Sequence, residues 1–128
     1  MDIERVVNFW VTESEYDLKV AWDNFNAKNY SYALFFAHLA LEKTLKAIYV
    51  NRKKEHAPFI HNLIRLAEIS DVDLNQEQLD ELAEITVFNR QSRYPDESGN
   101  FRKKCNEDFT RNWLNKVEEL HKWLKSMI

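Results

Sequence analysis

Residues that break regular structure are rare in this chain, which has one glycine, Gly99, and two prolines, Pro58 and Pro95, among 128 residues. A β-sheet protein needs turn residues at short intervals, whereas helices run for long stretches without them. Hydrophobic side chains make up 45% of the chain, which is enough for one hydrophobic core. The sequence therefore predicts a single all-α domain over residues 1–128.

Five helices are predicted from apolar residues at helical spacing and from capping residues. The second helix carries one stripe of alanines and one of leucines, which favours a central position. Because the connections are mostly short, we expect an antiparallel up-and-down four-helix bundle with a short additional helix. Residues 96–104 are predicted to form a loop. The predicted helices run from Asp2 to about Phe25, from Tyr30 to about Asn51, from after Pro58 to near Ser70, from Asn75 to about Arg93, and onwards from about Asn106.

The overall charge gives no strong attraction to nucleic acid, because 21 Asp and Glu residues outnumber 18 Lys and Arg residues. Any phosphate binding must therefore depend on a local cluster of cations. The single cysteine, Cys105, cannot form an internal disulfide and is expected to be a buried, inert thiol. Residues 1–5 do not resemble a secretory signal, and no uncharged run approaches the ~20 residues of a membrane span, so we expect a cytoplasmic protein with no membrane contact.

If neighbouring helices alternate in direction, the end of the second, the start of the third, the end of the fourth and the start of the fifth share one end of the bundle. We expect that end to be basic and able to bind phosphates, and the opposite end to be acidic. The basic end is predicted to hold Lys46, Arg52, Lys53, Lys54, His56, His61, Arg90, Arg93, Tyr94, Arg102, Lys103 and Lys104. The acidic end is predicted to hold Glu68, Asp71, Asp73, Glu77, Asp80 and Glu81.

Arg93 ends a row of residues, three and four positions apart, that starts at Leu79 and changes from apolar to polar through Thr86 and Asn89. The row predicts that Arg93 points inward, where a guanidinium needs a carboxylate, carbonyls, water or a ligand phosphate. A structural role is equally open, in which Arg93 pairs with Glu42 or caps the carbonyls at the end of its own helix.

His61 is predicted to lie in the first turn of its helix, where the positive end of the helix dipole favours neutral imidazole. Neutral imidazole suits a base or a hydrogen-bond relay, and capping of nearby backbone is the alternative role. Tyr94 could stack on a base or pack against a helix end. The chain has no glycine-rich phosphate loop, no His-Glu-x-x-His pair and no cysteine cluster, so neither a cofactor nor a metal site is predicted.

Three short segments resemble the HEPN family in their order and spacing: Glu-Lys-Thr-Leu-Lys-Ala at 42–47, His-Asn-Leu at 61–63 and Arg-Tyr-Pro-Asp at 93–96. With similar residues at 16–18 and 30–41, the resemblance covers nearly the whole chain. It implies a bundle of four to five helices, commonly a homodimer, that is often paired with a minimal nucleotidyltransferase as toxin and antitoxin. The candidate ligand-binding residues are His61, Arg93, Tyr94, Lys46, Arg90 and Asp96.

Ribonuclease members of this family carry an arginine, four to six further residues and then a histidine, and this chain lacks that motif. Only three residues separate Arg52 from His56, and eight separate Arg52 from His61. The leading hypothesis is therefore a noncatalytic or weakly catalytic module that binds nucleotide or RNA phosphates. Two alternatives stay open: a metal-independent ribonuclease with a displaced pair such as His61 and Arg93, and a purely structural dimer that supports a partner enzyme.

Overall fold

The computed structural model describes residues 1–128 and contains six helices and no strands, which confirms the predicted all-α bundle. Five of the six correspond to the predicted helices. The sixth is a five-residue helix inside the segment that was predicted to be a loop. In chain order the helices are α1 (Ile3–Asn26), α2 (Tyr30–Lys53), α3 (Leu63–Ile69), α4 (Gln76–Arg93), α5 (Asn100–Lys104) and α6 (Glu107–Lys125).

Side-chain caps determine where most of the helices begin. Asp2, Asn62 and Asn106 each accept a hydrogen bond from the backbone N–H three residues later. At the start of α4, Asn75 accepts from the N–H of Gln78 at 2.8 Å, while the side chain of Gln78 accepts from the N–H of Asn75 at 2.9 Å. This reciprocal pair confirms the capping box that the sequence predicts.

Helix α2 is the centre of the bundle and packs against all five other helices. Its alanine stripe is completely buried, and so are the leucines on its other side, which confirms the predicted central position. The small side chains let neighbouring helices approach closely, because they add little bulk between the backbones. The buried residues concerned are Ala33, Ala37 and Ala40, and Leu34, Leu41 and Leu45.

Helix α3 runs parallel to α2, contrary to the prediction that successive helices alternate in direction. Near its start, the carbonyl of His61 accepts a hydrogen bond from His38 Nε2 at 2.8 Å. Near its end, the carbonyl of Ser70 accepts one from Arg52 Nη1 at 3.0 Å. Residue numbers therefore increase in the same direction along both contacts, so α2 and α3 point the same way.

The connector between α2 and α3 is long enough to reverse along α2 before α3 begins. Its nine residues could reach ~30 Å at ~3.3 Å per residue. The distance from Arg52 back to His38 along the helix is only ~21 Å. Residues 58–62 are not helical, and α3 begins only where Asn62 caps it. His61 therefore lies just before the helix, and its predicted place in the first turn is wrong.

The predicted separation into a basic and an acidic end is also wrong. Lys53 Nζ lies 2.6 Å from Asp71 Oδ2, so cations at the end of α2 meet the residues expected at the acidic end. At the other end of α2, the hydroxyl of Ser92 donates to the carbonyl of Ser31 at 3.0 Å, because α4 runs antiparallel to α2. Arg93 follows Ser92 directly and thus lies far from Lys53.

Two further predictions concern the core and the membrane. Cys105 is buried, as predicted, and this burial raises the pKa of its thiol to about 11. The thiol is therefore protonated and unreactive at neutral pH. None of the six helices combines the length and the hydropathy that crossing a membrane requires.

Candidate functional site

A buried carboxylate on α2 organises the first group of candidate residues. Glu42 is 4% exposed. Its Oε1 lies 3.0 Å from His61 Nδ1, and its Oε2 lies 2.9 Å from Lys46 Nζ. Glu42 and Lys46 are one helical turn apart on α2, whereas His61 arrives from the connector before α3. We call these three residues, together with His38, the Glu42 cluster.

The hydrogen bond to Glu42 determines how His61 presents its imidazole. Because a carboxylate only accepts, Nδ1–H donates to Glu42, and Nε2 is the ring nitrogen that remains for a ligand. The side chain of His61 is 55% exposed, so Nε2 can meet a ligand. The arrangement of an exposed imidazole oriented by a buried carboxylate suits a hydrogen-bond relay or a base. Sequence reasoning selected His61 but assigned Glu42 a different partner, Arg93.

His38 holds the backbone of His61 in place and was missed by the sequence analysis. It is completely buried, and its Nε2–H donates to the carbonyl of His61. Burial lowers the pKa of His38 to about 4, so the ring is neutral at pH 7. Its other nitrogen, Nδ1, lies 3.8 Å from Glu42 Oε1. The spacing of four residues between His38 and Glu42 was the available sequence signal.

Lys46 lies in the interior of the cluster and is 5% exposed. Besides its ion pair with Glu42, its Nζ lies 5.5 Å from the centre of the Trp10 ring. A lysine held between a carboxylate and an aromatic face stabilises the buried charge of Glu42. Lys46 was a candidate for phosphate binding, and the structure directs its ammonium to Glu42 and not to the surface.

Arg93 lies outside the Glu42 cluster and is exposed. Its guanidinium carbon is 5.9 Å from the centre of the Phe35 ring, and no carboxylate pairs with it. The predicted inward direction and the proposed pairing with Glu42 are therefore wrong. The reason is that the row on α4 is buried or partly buried up to Asn89, while the last turn of α4 passes beyond the core near the first turn of α2.

Other unpaired cations surround Arg93. The guanidinium of Arg102 lies 5.9 Å from the centre of the Tyr32 ring, one turn before Phe35 on α2. Tyr94 is 75% exposed and packs little against the helix end. None of the arginines in this region forms a salt bridge, so their charge is available to a ligand. We call Arg90, Arg93, Arg102 and Tyr94 the arginine surface.

Asp96, the remaining candidate, stabilises the turn after α4. Its Oδ1 accepts hydrogen bonds from the hydroxyl of Ser98 at 2.7 Å and from the N–H of Gly99 at 3.0 Å. The bond from Ser98 is the largest cause of a lowered pKa, so Asp96 is charged at neutral pH. The positive φ of Gly99, 66°, fits a residue without a side chain. Asp96 therefore has a structural role beside the arginine surface.

His61 and Arg93 approach the same side of α4 at different levels of that helix. The N–H of Leu63, two residues after His61, donates to Thr86 Oγ1 at 3.3 Å. Thr86 and Arg93 are seven residues apart on α4, which corresponds to ~10 Å along the axis. No group of three or more His, Cys, Asp or Glu side chains could hold a metal ion.

Comparisons with known proteins agree with this architecture. The family model described as HEPN domain matches residues 7–127. Among solved structures, the crystal structure of TT1696 from Thermus thermophilus is similar, with a TM-score of 0.80, 14% sequence identity, and coverage of 95% of this chain and 98% of that chain. At this identity the likeness shows the fold. No curated protein sequence matches the chain.

Proposed function

Because this chain belongs to the HEPN domain family, whose membership supports a nucleotide- or RNA-related role in general, we propose that it binds RNA or nucleotide phosphates noncatalytically. The arginine surface supplies the cations for the phosphates, and His61 supplies a hydrogen-bonding imidazole. The observation that carries the proposal is that Arg93 and Arg102 lie over aromatic rings with no carboxylate partner.

The chemistry of these side chains favours a single-stranded ligand. Arginines bind phosphates through several N–H donors, and their planar groups also stack on bases. Tyr94 offers an exposed ring beside Arg93, and stacking of a base on an aromatic ring stabilises binding by about 1–3 kcal/mol. Thr86, which accepts the hydrogen bond from Leu63 near His61, lies ~10 Å before Arg93 along α4, a spacing that suits a ligand with more than one phosphate.

Fluorescence anisotropy with a labelled single-stranded RNA and with a labelled nucleotide tests the proposal. Measured over a series of salt concentrations, the affinity should fall as salt rises, because binding releases counterions. Arg93→Ala should weaken RNA binding and reduce the salt slope by about 0.7, the value for one phosphate contact on a single strand. Absence of binding by both ligands, or an unchanged affinity in Arg93→Ala, would contradict it.

The matched control is Lys122→Ala. Lys122 is exposed, forms no salt bridge and lies near the end of α6, away from the arginine surface. Its removal changes the net charge of the protein by the same amount as Arg93→Ala. An equal loss in both variants would show that overall charge, and not the arginine surface, determines the affinity.

We further propose that the chain forms a homodimer and partners a minimal nucleotidyltransferase in a toxin and antitoxin pair. Support comes from large apolar side chains that the bundle leaves exposed: Phe9 at 53%, Tyr16 at 62% and Phe59 at 101%. Light scattering after gel filtration, for the chain alone and co-expressed with a neighbouring nucleotidyltransferase, measures both assemblies. A monomer that never co-elutes with the enzyme would oppose the proposal.

A ribonuclease with a displaced arginine and histidine is the second candidate. The Glu42 and His61 pair favours it, since a buried carboxylate orients an exposed imidazole as in many acid and base pairs. Incubation of purified protein with a broad RNA pool, with and without divalent ions, tests for cleavage. Cleavage that His61→Gln abolishes supports this candidate, and an intact pool opposes it.

A further inference from the structure

The first turn of α2 presents backbone donors that the protein leaves unused. The N–H groups of Tyr30, Ser31 and Tyr32 donate to no carbonyl of the chain. The N-cap residue, Asn29, makes no side-chain hydrogen bond to them. Helix N-termini attract anions, because these free N–H groups and the helix dipole both favour negative charge.

Ser31 provides an independent sign that a ligand binds here. The residue is 8% exposed, yet its hydroxyl has no hydrogen-bond partner in the protein. Ser31 lines two neighbouring clefts, with volumes of about 280 Å³ and about 220 Å³. A hydroxyl that faces a cleft without a protein partner can bond to a water or a ligand in that cleft. The two clefts provide the space for such a partner.

Arg102 connects the two clefts and supplies a full positive charge. It lines both of them, and no carboxylate pairs with its guanidinium. The larger cleft also contains Asp96 and Glu97, whose carboxylates would repel an anion on that side. The phosphate position is therefore next to Ser31 and Arg102, and the carboxylates can accept hydrogen bonds from sugar hydroxyls.

We propose that the start of α2 binds a phosphomonoester, the terminal phosphate of a nucleic acid strand. A phosphomonoester has three acceptor oxygens and a charge close to −2, which match the N–H groups, the Ser31 hydroxyl and the Arg102 guanidinium. A phosphodiester within a strand has only two free oxygens and one charge. This inference rests on the proposed function, to which it adds recognition of a strand end.

The test compares one single-stranded RNA sequence in three forms, with a 5′-phosphate, with a 3′-phosphate, or with hydroxyls at both ends. One phosphorylated form should bind the full chain about tenfold or more tightly than the form without a terminal phosphate, as charge-assisted hydrogen bonds predict. Equal affinities for all three overturn the inference and leave the proposed function intact. Failure of all three to bind refutes the RNA part of the proposed function.

A second measurement keeps the inference testable if RNA does not bind. Adenosine 5′-monophosphate and inorganic phosphate are titrated while NMR follows the backbone N–H signals of Ser31 and Tyr32. Shifts of these signals that saturate support the site, and their absence overturns it. A response to inorganic phosphate alone identifies a free anion as the ligand and overturns recognition of a strand end.

Three variants distinguish binding from folding. Ser31→Ala and Arg102→Gln should each remove most of the preference for a terminal phosphate. Asn29→Asp caps the helix and so preserves folding, but its carboxylate repels the phosphate and should abolish the preference. Lys122→Ala is the control and should retain it. A preference that survives in both Ser31→Ala and Asn29→Asp places the phosphate elsewhere.

Discussion

Replacing Glu42 with glutamine is expected to destabilise the protein by about 3 kcal/mol, because it leaves the Lys46 ammonium buried without a counter-charge. The two side chains are 5% and 7% exposed and lie 2.9 Å apart, so water can do little to solvate the lone cation. Glutamine has nearly the same volume as glutamate, and no cavity forms. The Trp10 ring near Lys46 offsets part of the penalty, which favours the lower end of the ~3–5 kcal/mol range.

Removing both charges together should restore most of the stability. In the double variant Glu42→Gln with Lys46→Met, no buried ion is left unpaired, and apolar replacements of buried ion pairs are often neutral. The free energy of unfolding should return to within about 1 kcal/mol of the original protein. The strong interaction between the two substitutions is the signature of a buried pair.

Urea denaturation followed by circular dichroism measures these free energies from the midpoint and the slope. Glu68→Gln is the control, because Glu68 pairs with Arg65 at the surface, where the two side chains are 62% and 61% exposed. That variant should lose no more than about 1 kcal/mol. The reasoning fails if Glu42→Gln loses less than about 1 kcal/mol, or if the double variant is no more stable than Glu42→Gln.

Two further predictions concern folding. Burial lowers the pKa of both His38 and His121 from 6.5 to about 4. Between about pH 7 and pH 4 the unfolded chain therefore binds more protons than the folded protein, and the free energy of unfolding should fall as the pH decreases through this range. Urea midpoints across this range check it, and the decline should shrink when both histidines are replaced by glutamine. Asn75→Ala removes the capping box of α4 and should cost about 1 kcal/mol, and an unchanged urea midpoint would refute this.

The helices were predictable because their signals are local. The capping box at Asn75 and Gln78 gave the start of α4, and Pro95 gave its end. The short helix α5 was not predictable, because five residues hold no clear periodicity. It forms where Phe101 packs against Phe88, with ring centres 5.9 Å apart, so a contact between distant segments stabilises it.

The candidate site was predictable only in part, because its residues meet through tertiary structure. The spacing of four between His38, Glu42 and Lys46 already places them on one side of α2. What the sequence could not give is the path of the connector, since helical periodicity says nothing about the direction of the next helix. That path brings His61 into contact with Glu42. It also places Arg52 beside Ser70, at the opposite end of α2 from Arg93.

The direction of α3 also determines how the length of a ligand should affect binding. Because His38 and Glu42 hold His61 in place beside the turn of α4 at Thr86, His61 lies at a different level of α4 from Arg93, with ~10 Å between Thr86 and Arg93 along the axis. His61→Gln should therefore weaken the binding of an RNA of several nucleotides several-fold, while the binding of a mononucleotide at the arginine surface changes little. Anisotropy titrations of both ligands give the two ratios. Equal losses for both ligands would mean that His61 and Arg93 contact the same phosphate, and would contradict this prediction.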